Sequence, residues 1–347
     1  VQAWIETLRV AAWAWALRLP RDKDRLGRFC APVNVRGRRA RGSPKFNSNQ
    51  EQSYRFQDIT APMKSAICLI VRNEARDIAE WMAFHAALGF DTQIIFDNRS
   101  DDTTALVIKA AAKRLDLRYH FWPNMSQRSQ VLAYEAACEA YKLEFDWIAF
   151  VDSDEFLIPA DDMPINAFLG RFEEFSGVAV HWAIYGANGH EAFPQGGVLE
   201  NFTRRARNDF FPARHVKSII RPGFAQGCVN PHCFDLRGHR LGSYCDAFGR
   251  PMEWWPAPEA GGIIPGLSKA PPDYGACRIN HYFTRSRAHW QAKLRRGYPS
   301  DVAIRKMEEF ETYDRNEIED GIALRYVARV RAGMAGFARR EKEDVLF

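Results

Sequence analysis

The chain has 347 residues, 46% of them hydrophobic and 26% charged, which suits one large globular domain or two ordinary ones and excludes a fibrous or low-complexity polymer. The net charge of +5 is concentrated: residues 18–45 carry ten Arg or Lys against Asp22 and Asp24, so the chain from residue 46 onward is net −3. An acidic body of that kind excludes an extended basic groove for nucleic acid.

Residues 1–19 are rich in Trp, with Trp4, Leu8, Ala11 and Trp15 on one helical face, but Glu6, Arg9 and Arg18 interrupt them. No apolar run reaches the roughly 20 residues of a membrane span. Followed by the basic stretch, the segment predicts either peripheral contact of residues 1–45 with an acidic membrane surface or an amphipathic helix packed on the body. The basic residues follow the apolar ones, the reverse of a secretory signal. Residues 31–62 lack apolar periodicity and read as a flexible linker, so residues 1–62 are expected to be a basic helix and linker. Seven scattered cysteines without a CxxC pair suit a reducing cytoplasm, with Cys68 and Cys138 as small core residues. The expected location is therefore cytoplasmic, peripheral at the inner face of the cell membrane.

From Lys64 an alternation begins. Strands are predicted over 66–71, 92–97, 117–121 and 147–152, and helices over 74–88 (closed by Gly89), 101–115 (opened by Ser100 as N-cap) and 126–141. Four short apolar strands separated by such helices imply right-handed crossovers and a largely parallel sheet. Ligands then collect beyond the strands' C-terminal ends, where Arg72, Asn73, Glu74, Asp97, Asn98, Asp152 and Asp154 stand. No GxGxxG or GxxxxGK[ST] follows any strand, so phosphate charge must be met another way. Beyond Pro159, residues 177–180 and 217–221 read as strands, the Pro- and Gly-dense 249–275 as a long surface loop, and 286–297 and 313–335 as Arg-rich helices.

The fourth strand runs Trp147-Ile148-Ala149-Phe150-Val151 into Asp152-Ser153-Asp154-Glu155. Alternation points Asp152 and Asp154 to the same side, where two like charges repel unless a cation lies between them. A divalent metal would neutralise the pair and bridge a diphosphate; the bland alternative is a solvated acidic loop. Asp97-Asn98-Arg99-Ser100 is either a capped turn or a contact to a base or ribose. His281, after a short apolar run, can offer a neutral imidazole, although a lone His is more often structural. Lys217, Arg221, Lys293 and Arg296 are candidate phosphate contacts, with solvated surface as the default for each.

The succession Val71-Arg72-Asn73-Glu74, Glu80-Trp81-Met82-Ala83-Phe84-His85, Leu88-Gly89-Phe90, Phe96-Asp97-Asn98, Gln130, Trp147, Phe150-Val151-Asp152-Ser153-Asp154-Glu155-Phe156, Lys217-Ser218-Ile219-Ile220 and Asn280-His281-Tyr282 resembles the glycosyltransferase family 92 and family 2-like group over roughly residues 64–300. The resemblance implies an α/β, GT-A (Rossmann-like nucleotide-diphospho-sugar transferase) fold with a mixed, mainly parallel sheet and a helical C-terminal extension. It implies a catalytic domain over 63–300, split into a nucleotide-binding half (63–158) and an acceptor-side half (159–300), with 301–347 as the extension. It further implies Mn²⁺ or Mg²⁺ on Asp152, Asp154 and His281, and a nucleotide-sugar donor near Arg72, Asn73, Glu74, Asp97, Asn98, Gln130, Asp152, Ser153, Lys217 and Lys293. Two departures stand out: Arg99 replaces a small residue, and Arg285-Ser286 replaces Lys-Ser after the His-Tyr pair. Both leave the donor sugar open.

The expected activity is metal-dependent, inverting transfer of a hexose from a nucleoside-diphosphate sugar, with UDP as the nucleotide, to a hydroxyl of a glycan or lipid-linked acceptor. Glu155, Glu191 and Asp209 are the candidate catalytic carboxylates. One rival is a metal-dependent phosphohydrolase or phosphotransferase with Asp152 as nucleophile, although such an Asp-x-Asp usually follows a first strand. The other is a non-catalytic glycan-binding protein whose Trp182, Tyr185, Trp254 and Trp255 stack on sugars.

Overall fold

The computed structural model describes residues 62–258, 262–296 and 306–338. The predicted N-terminal helix, its basic stretch and their membrane contact lie outside the described residues. No described helix is long and apolar enough to cross a membrane.

The expected alternation is observed. Strands β1 (Ser65–Val71), β2 (Thr92–Asp97), β3 (Leu117–Phe121) and β4 (Trp147–Phe150) alternate with helices α1 (Ile78–Leu88), α2 (Thr104–Ala111) and α3 (Ser129–Tyr141). All of β2 and β4 and nearly all of β1 are buried, which is why they read as continuous apolar runs instead of alternating patterns. The pairings β1 with β2, β2 with β3 and β1 with β4 are parallel.

Further strands are β5 (Glu155–Pro159), β6 (Phe175–Ile184), β7 (Arg204–Arg205), β8 (Val216–Ile220), β9 (Ala225–Asn230), β10 (Cys233–Leu236), β11 (Gly242–Asp246), β12 (Trp254–Ala257), β13 (Gly262–Ser268), β14 (Cys277–His281) and β15 (Ile318–Glu319). The main sheet runs β3-β2-β1-β4-β8-β6-β14-β5, with β11 also on β6. Antiparallel pairing enters at β8, against β4 and β6, and at β5 against β14; the β6 pairings with β11 and β14 are parallel. The sheet is thus mixed and mainly parallel, as the α/β expectation required. The remaining helices are α4 (Ile165–Leu169), α5 (Val198–Asn201), α6 (Arg287–Arg296), α7 (Met307–Tyr313) and α8 (Val327–Ala338).

Three local expectations are corrected. Helix α2 begins at Thr104, not after Ser100: the Ser100 hydroxyl accepts the N–H of Asn73, and Asp102 accepts that of Thr104. Residues 249–275 are not a structureless loop, because β12 and β13 pair there as an antiparallel hairpin carrying Trp254, Trp255 and Ile264. The helix expected from residue 313 begins only at Val327. The intervening chain is held open by Asp320, whose carboxylate takes Arg205 at 2.6 Å and Arg278 at 2.6 Å.

The core spans both halves of the sheet. Trp81 of α1 is fully buried, and its indole N–H donates to the carbonyls of Asp152 at 3.1 Å and Glu155 at 3.0 Å, so the helix fixes the chain where it leaves β4. Phe84 meets Tyr326 at 4.9 Å between ring centroids, which seats the chain entering α8 against α1.

Candidate active site

In the order β3-β2-β1-β4 the crossovers run one way from β1 while β4 lies on its other flank. That is a topological switch point, and a crevice opens there beyond the strands' C-terminal ends. A cavity of about 300 Å³ occupies it. Arg72 and Glu74 reach it from β1, Asn98 from β2, and Asp152, Ser153 and Asp154 from β4. Gln130 of α3, His232, His281 of β14, and Lys293 and Arg296 of α6 complete the polar part of its wall, and Trp182 of β6 adds an apolar face.

The two aspartates are held differently. Asp152 accepts from Gln130 at 2.6 Å and pairs with Lys217 at 2.9 Å. Asp154 accepts from Lys293 at 2.5 Å, and His281 Nε2 stands 3.6 Å from its other oxygen. Burial pushes the Asp154 carboxyl up, but Lys293 and His281 outweigh it and hold the group well below the usual carboxylate range. Burial draws His281 down against the pull of Asp154, which keeps its imidazole neutral and able to ligate. Its Nδ1 is buried with no hydrogen-bond partner.

A second charge network braces the loops. Arg285 is buried at a left-handed φ of 49°; its guanidinium pairs with Glu74 at 3.0 Å and with Asp77, and donates to the carbonyl of Ser153 at 3.3 Å. Arg296 pairs with Glu74 at 2.7 Å and donates to the carbonyls of Arg72 and Asn73, each at 2.9 Å. The loops after β1 and β4 are thereby tied to the segment 285–296.

Of the residues expected for donor and metal, Arg72, Glu74, Asn98, Gln130, Asp152, Ser153, Asp154, His281 and Lys293 line the one cavity. Three others do not line it. Asn73 is spent on Asp101 and Ser100, joining two loops. Asp97 is 2% exposed and accepts from Tyr119 at 2.8 Å and from the N–H of Ser100 at 2.9 Å. Lys217 is fully buried between Asp152 and Glu155, so it orients the acid and is not a phosphate contact.

The three candidate bases are not brought to the cavity either. Glu155 is fully buried; it accepts the N–H of Asp152 at 2.8 Å, and burial lifts its carboxyl well above the ordinary value despite Lys217. Glu191 is three-quarters exposed and pairs with Arg287 at 3.0 Å. Asp209 is 80% exposed beside Arg207. Sequence reasoning missed Trp182 and His232 as walls of this cavity and Arg285 as its brace. Trp182 faces His281 at 4.2 Å between centroids, and because every residue of β6 is buried, no alternation in the sequence marked which side chains face the cavity.

Whether a divalent cation suits the site rests on donor chemistry. Two carboxylates and a neutral imidazole line the cavity, a set that Mn²⁺ accepts readily and Mg²⁺ accepts through its oxygens. The 3.6 Å gap between Asp154 and His281 is longer than a hydrogen bond. Among the described residues no three His, Cys, Asp or Glu side chains are already gathered as a ligand cluster, since Lys217 and Lys293 hold the two acids. The donor types fit, and the lysines are what a cation would rearrange.

The model of glycosyltransferase family 92 matches residues 65–232, from the start of β1 to the wall residue His232. Residues 65–232 are thus similar to glycosyltransferase family 92. The chain is 27% identical over 177 residues to a family 92 protein of Oryza sativa subsp. japonica, covering 50% of this chain and 29% of the relative. A family 92 protein of Ricinus communis is 30% identical over 166 residues, covering 46% and 29%. The chain thus spans less than a third of the length of these curated relatives. Among solved structures, S. aureus TarS in complex with UDP is similar at 18% identity and a TM-score of 0.31, over 47% of this chain and 48% of that one. Glucosyl-3-phosphoglycerate synthase of Mycobacterium tuberculosis, solved with Mn²⁺ and UDP-glucose, gives 20% identity and 0.24 over 35% and 45%. His281, Lys293 and Arg296 lie beyond the matched family 92 segment, so the cavity needs more of the chain than that segment alone.

Proposed function

We propose that the protein is a metal-dependent glycosyltransferase that moves a hexose from a nucleoside-diphosphate sugar, with UDP as the nucleotide, to a hydroxyl of a glycan or lipid-linked acceptor. The observation that carries this reading is the convergence of Asp152, Asp154 and His281 with Arg72, Lys293 and Arg296 in one switch-point cavity. Asp152, Asp154 and His281 are the residues that would hold Mn²⁺ or Mg²⁺, which when bound supplies positive charge to a departing diphosphate. Lys293 and Arg296 bring fixed positive charge to the same cavity, and Gln130 and Lys217 keep the Asp152 carboxylate oriented. Trp182 walls the cavity with an apolar surface that excludes water from the reacting groups.

The test is nucleotide release from a panel of UDP- and GDP-hexoses with Mn²⁺, with chelator, and with Asp154→Asn. The reading predicts release from at least one donor that is abolished by the chelator and falls at least a hundredfold in the variant, as expected when a group acting on the transition state is removed. Full turnover by Asp154→Asn, or release indifferent to chelation, contradicts it.

A further inference from the structure

A second cavity, of about 690 Å³, lies apart from the first. Successive residues of a strand point to opposite faces of its sheet, and on β6 Trp182 lines the first cavity while its neighbour His181 lines the second. His181 is 5% exposed, and its Nε2 is buried with no hydrogen-bond partner. A buried imidazole nitrogen left unpaired is costly, and a ligand atom in the cavity would relieve that cost. Burial holds the ring neutral, pulling its pKa to about 4 even though Asp246 pushes the other way.

The charges around this cavity select the ligand. Arg250 pairs with Asp246 at 2.6 Å and lies 3.6 Å from Asp273, and Lys269 pairs with Glu253 at 2.7 Å. Each of these cations is matched to a lining carboxylate, so there is no surplus positive charge for a phosphate. What remains is a set of acceptors and donors beside the apolar surfaces of Met252, Pro271 and Pro272. Hydroxyl groups both donate and accept, and a pyranose ring adds an apolar C–H face, so a sugar satisfies both kinds of surface.

We propose that this cavity is a second saccharide-binding site, which holds a neutral oligosaccharide on the sheet face opposite the donor cavity. It rests on the glycosyltransferase reading in that the bound sugar is a stretch of the acceptor glycan away from the point of transfer. The site raises acceptor affinity by tethering the chain, and it leaves donor binding alone.

The test is calorimetric titration of the full chain with neutral cello-, malto-, manno- and xylo-oligosaccharides of four to six units, and separately with UDP and Mn²⁺. Ala270→Trp fills the exposed rim of the cavity, and His181→Phe removes the ring nitrogens while keeping a ring. At least one oligosaccharide is expected to bind the wild type, with its dissociation constant raised tenfold or more in both variants while UDP binding is unchanged. No oligosaccharide binding by protein that binds UDP overturns the proposal, as does binding unaffected by Ala270→Trp. Oligosaccharide binding without UDP binding upholds this cavity and overturns the donor site instead.

Discussion

Glu80 shows how a single buried side chain makes this fold answer to pH. Its carboxyl, 5% exposed, accepts the N–H groups of Val198 at 2.5 Å and Leu199 at 3.2 Å and so caps α5. Burial nevertheless lifts its pKa from 4.5 to about 7, outweighing those two donors. The native state therefore holds this proton more tightly than the unfolded chain. The stabilisation is full below about pH 4.5 and is lost as the pH rises through about 7, a change of roughly 3 kcal/mol. Urea unfolding across that window should show wild type losing stability relative to Glu80→Gln as pH rises; a difference that does not move with pH would contradict this. At the same scale, the apolar run of β4 made it legible that Asp152 and Asp154 stand beyond a strand's C-terminal end, although the strand stops at Phe150 and Ser153 lines the cavity between them, so it is the turn after β4 and not strand alternation that presents the pair. Glu155 opens β5 and is turned into the core, where Lys217 meets it. Glu191 and Asp209 sit in loops, where no period constrains direction, and their exposure was not readable from the chain.

The elements of the first half were legible because parallel strands buried on both faces are written as unbroken apolar runs. The second half was less so. The β12–β13 hairpin carries Pro256 and Pro265, which disguise its pairing as loop, and α8 is delayed because Asp320 must serve Arg205 and Arg278 before the helix can start. Gly177 illustrates a constraint that only packing reveals. On β6 it sits opposite Tyr244 of β11, and a Cβ there would lie 2.7 Å from both Leu236 and Tyr244. Gly177→Ala should therefore destabilise the protein by about 1–3 kcal/mol in denaturant unfolding, the range for overpacking a tight core. A variant as stable as wild type would show that the β6–β11 contact is looser than described.

For the molecule as a whole, the cavity is assembled from parts of the chain far apart in sequence. The family 92 segment supplies the acids, and α6, some sixty residues beyond that segment, supplies Lys293 and Arg296. Arg285 and Arg296 join the two by bridging to Glu74, so the cavity depends on the chain beyond β14 being docked on β1 and β4. The resemblance gave the family and the location of the acids, whereas this docking is a long-range pairing that no local pattern encodes. The most direct test is a crystal structure of the protein soaked with UDP and Mn²⁺. The account predicts the ion on Asp152, Asp154 and His281 and the diphosphate in the cavity beside Lys293 and Arg296; a nucleotide bound elsewhere, or an ion touching none of these three side chains, would contradict it.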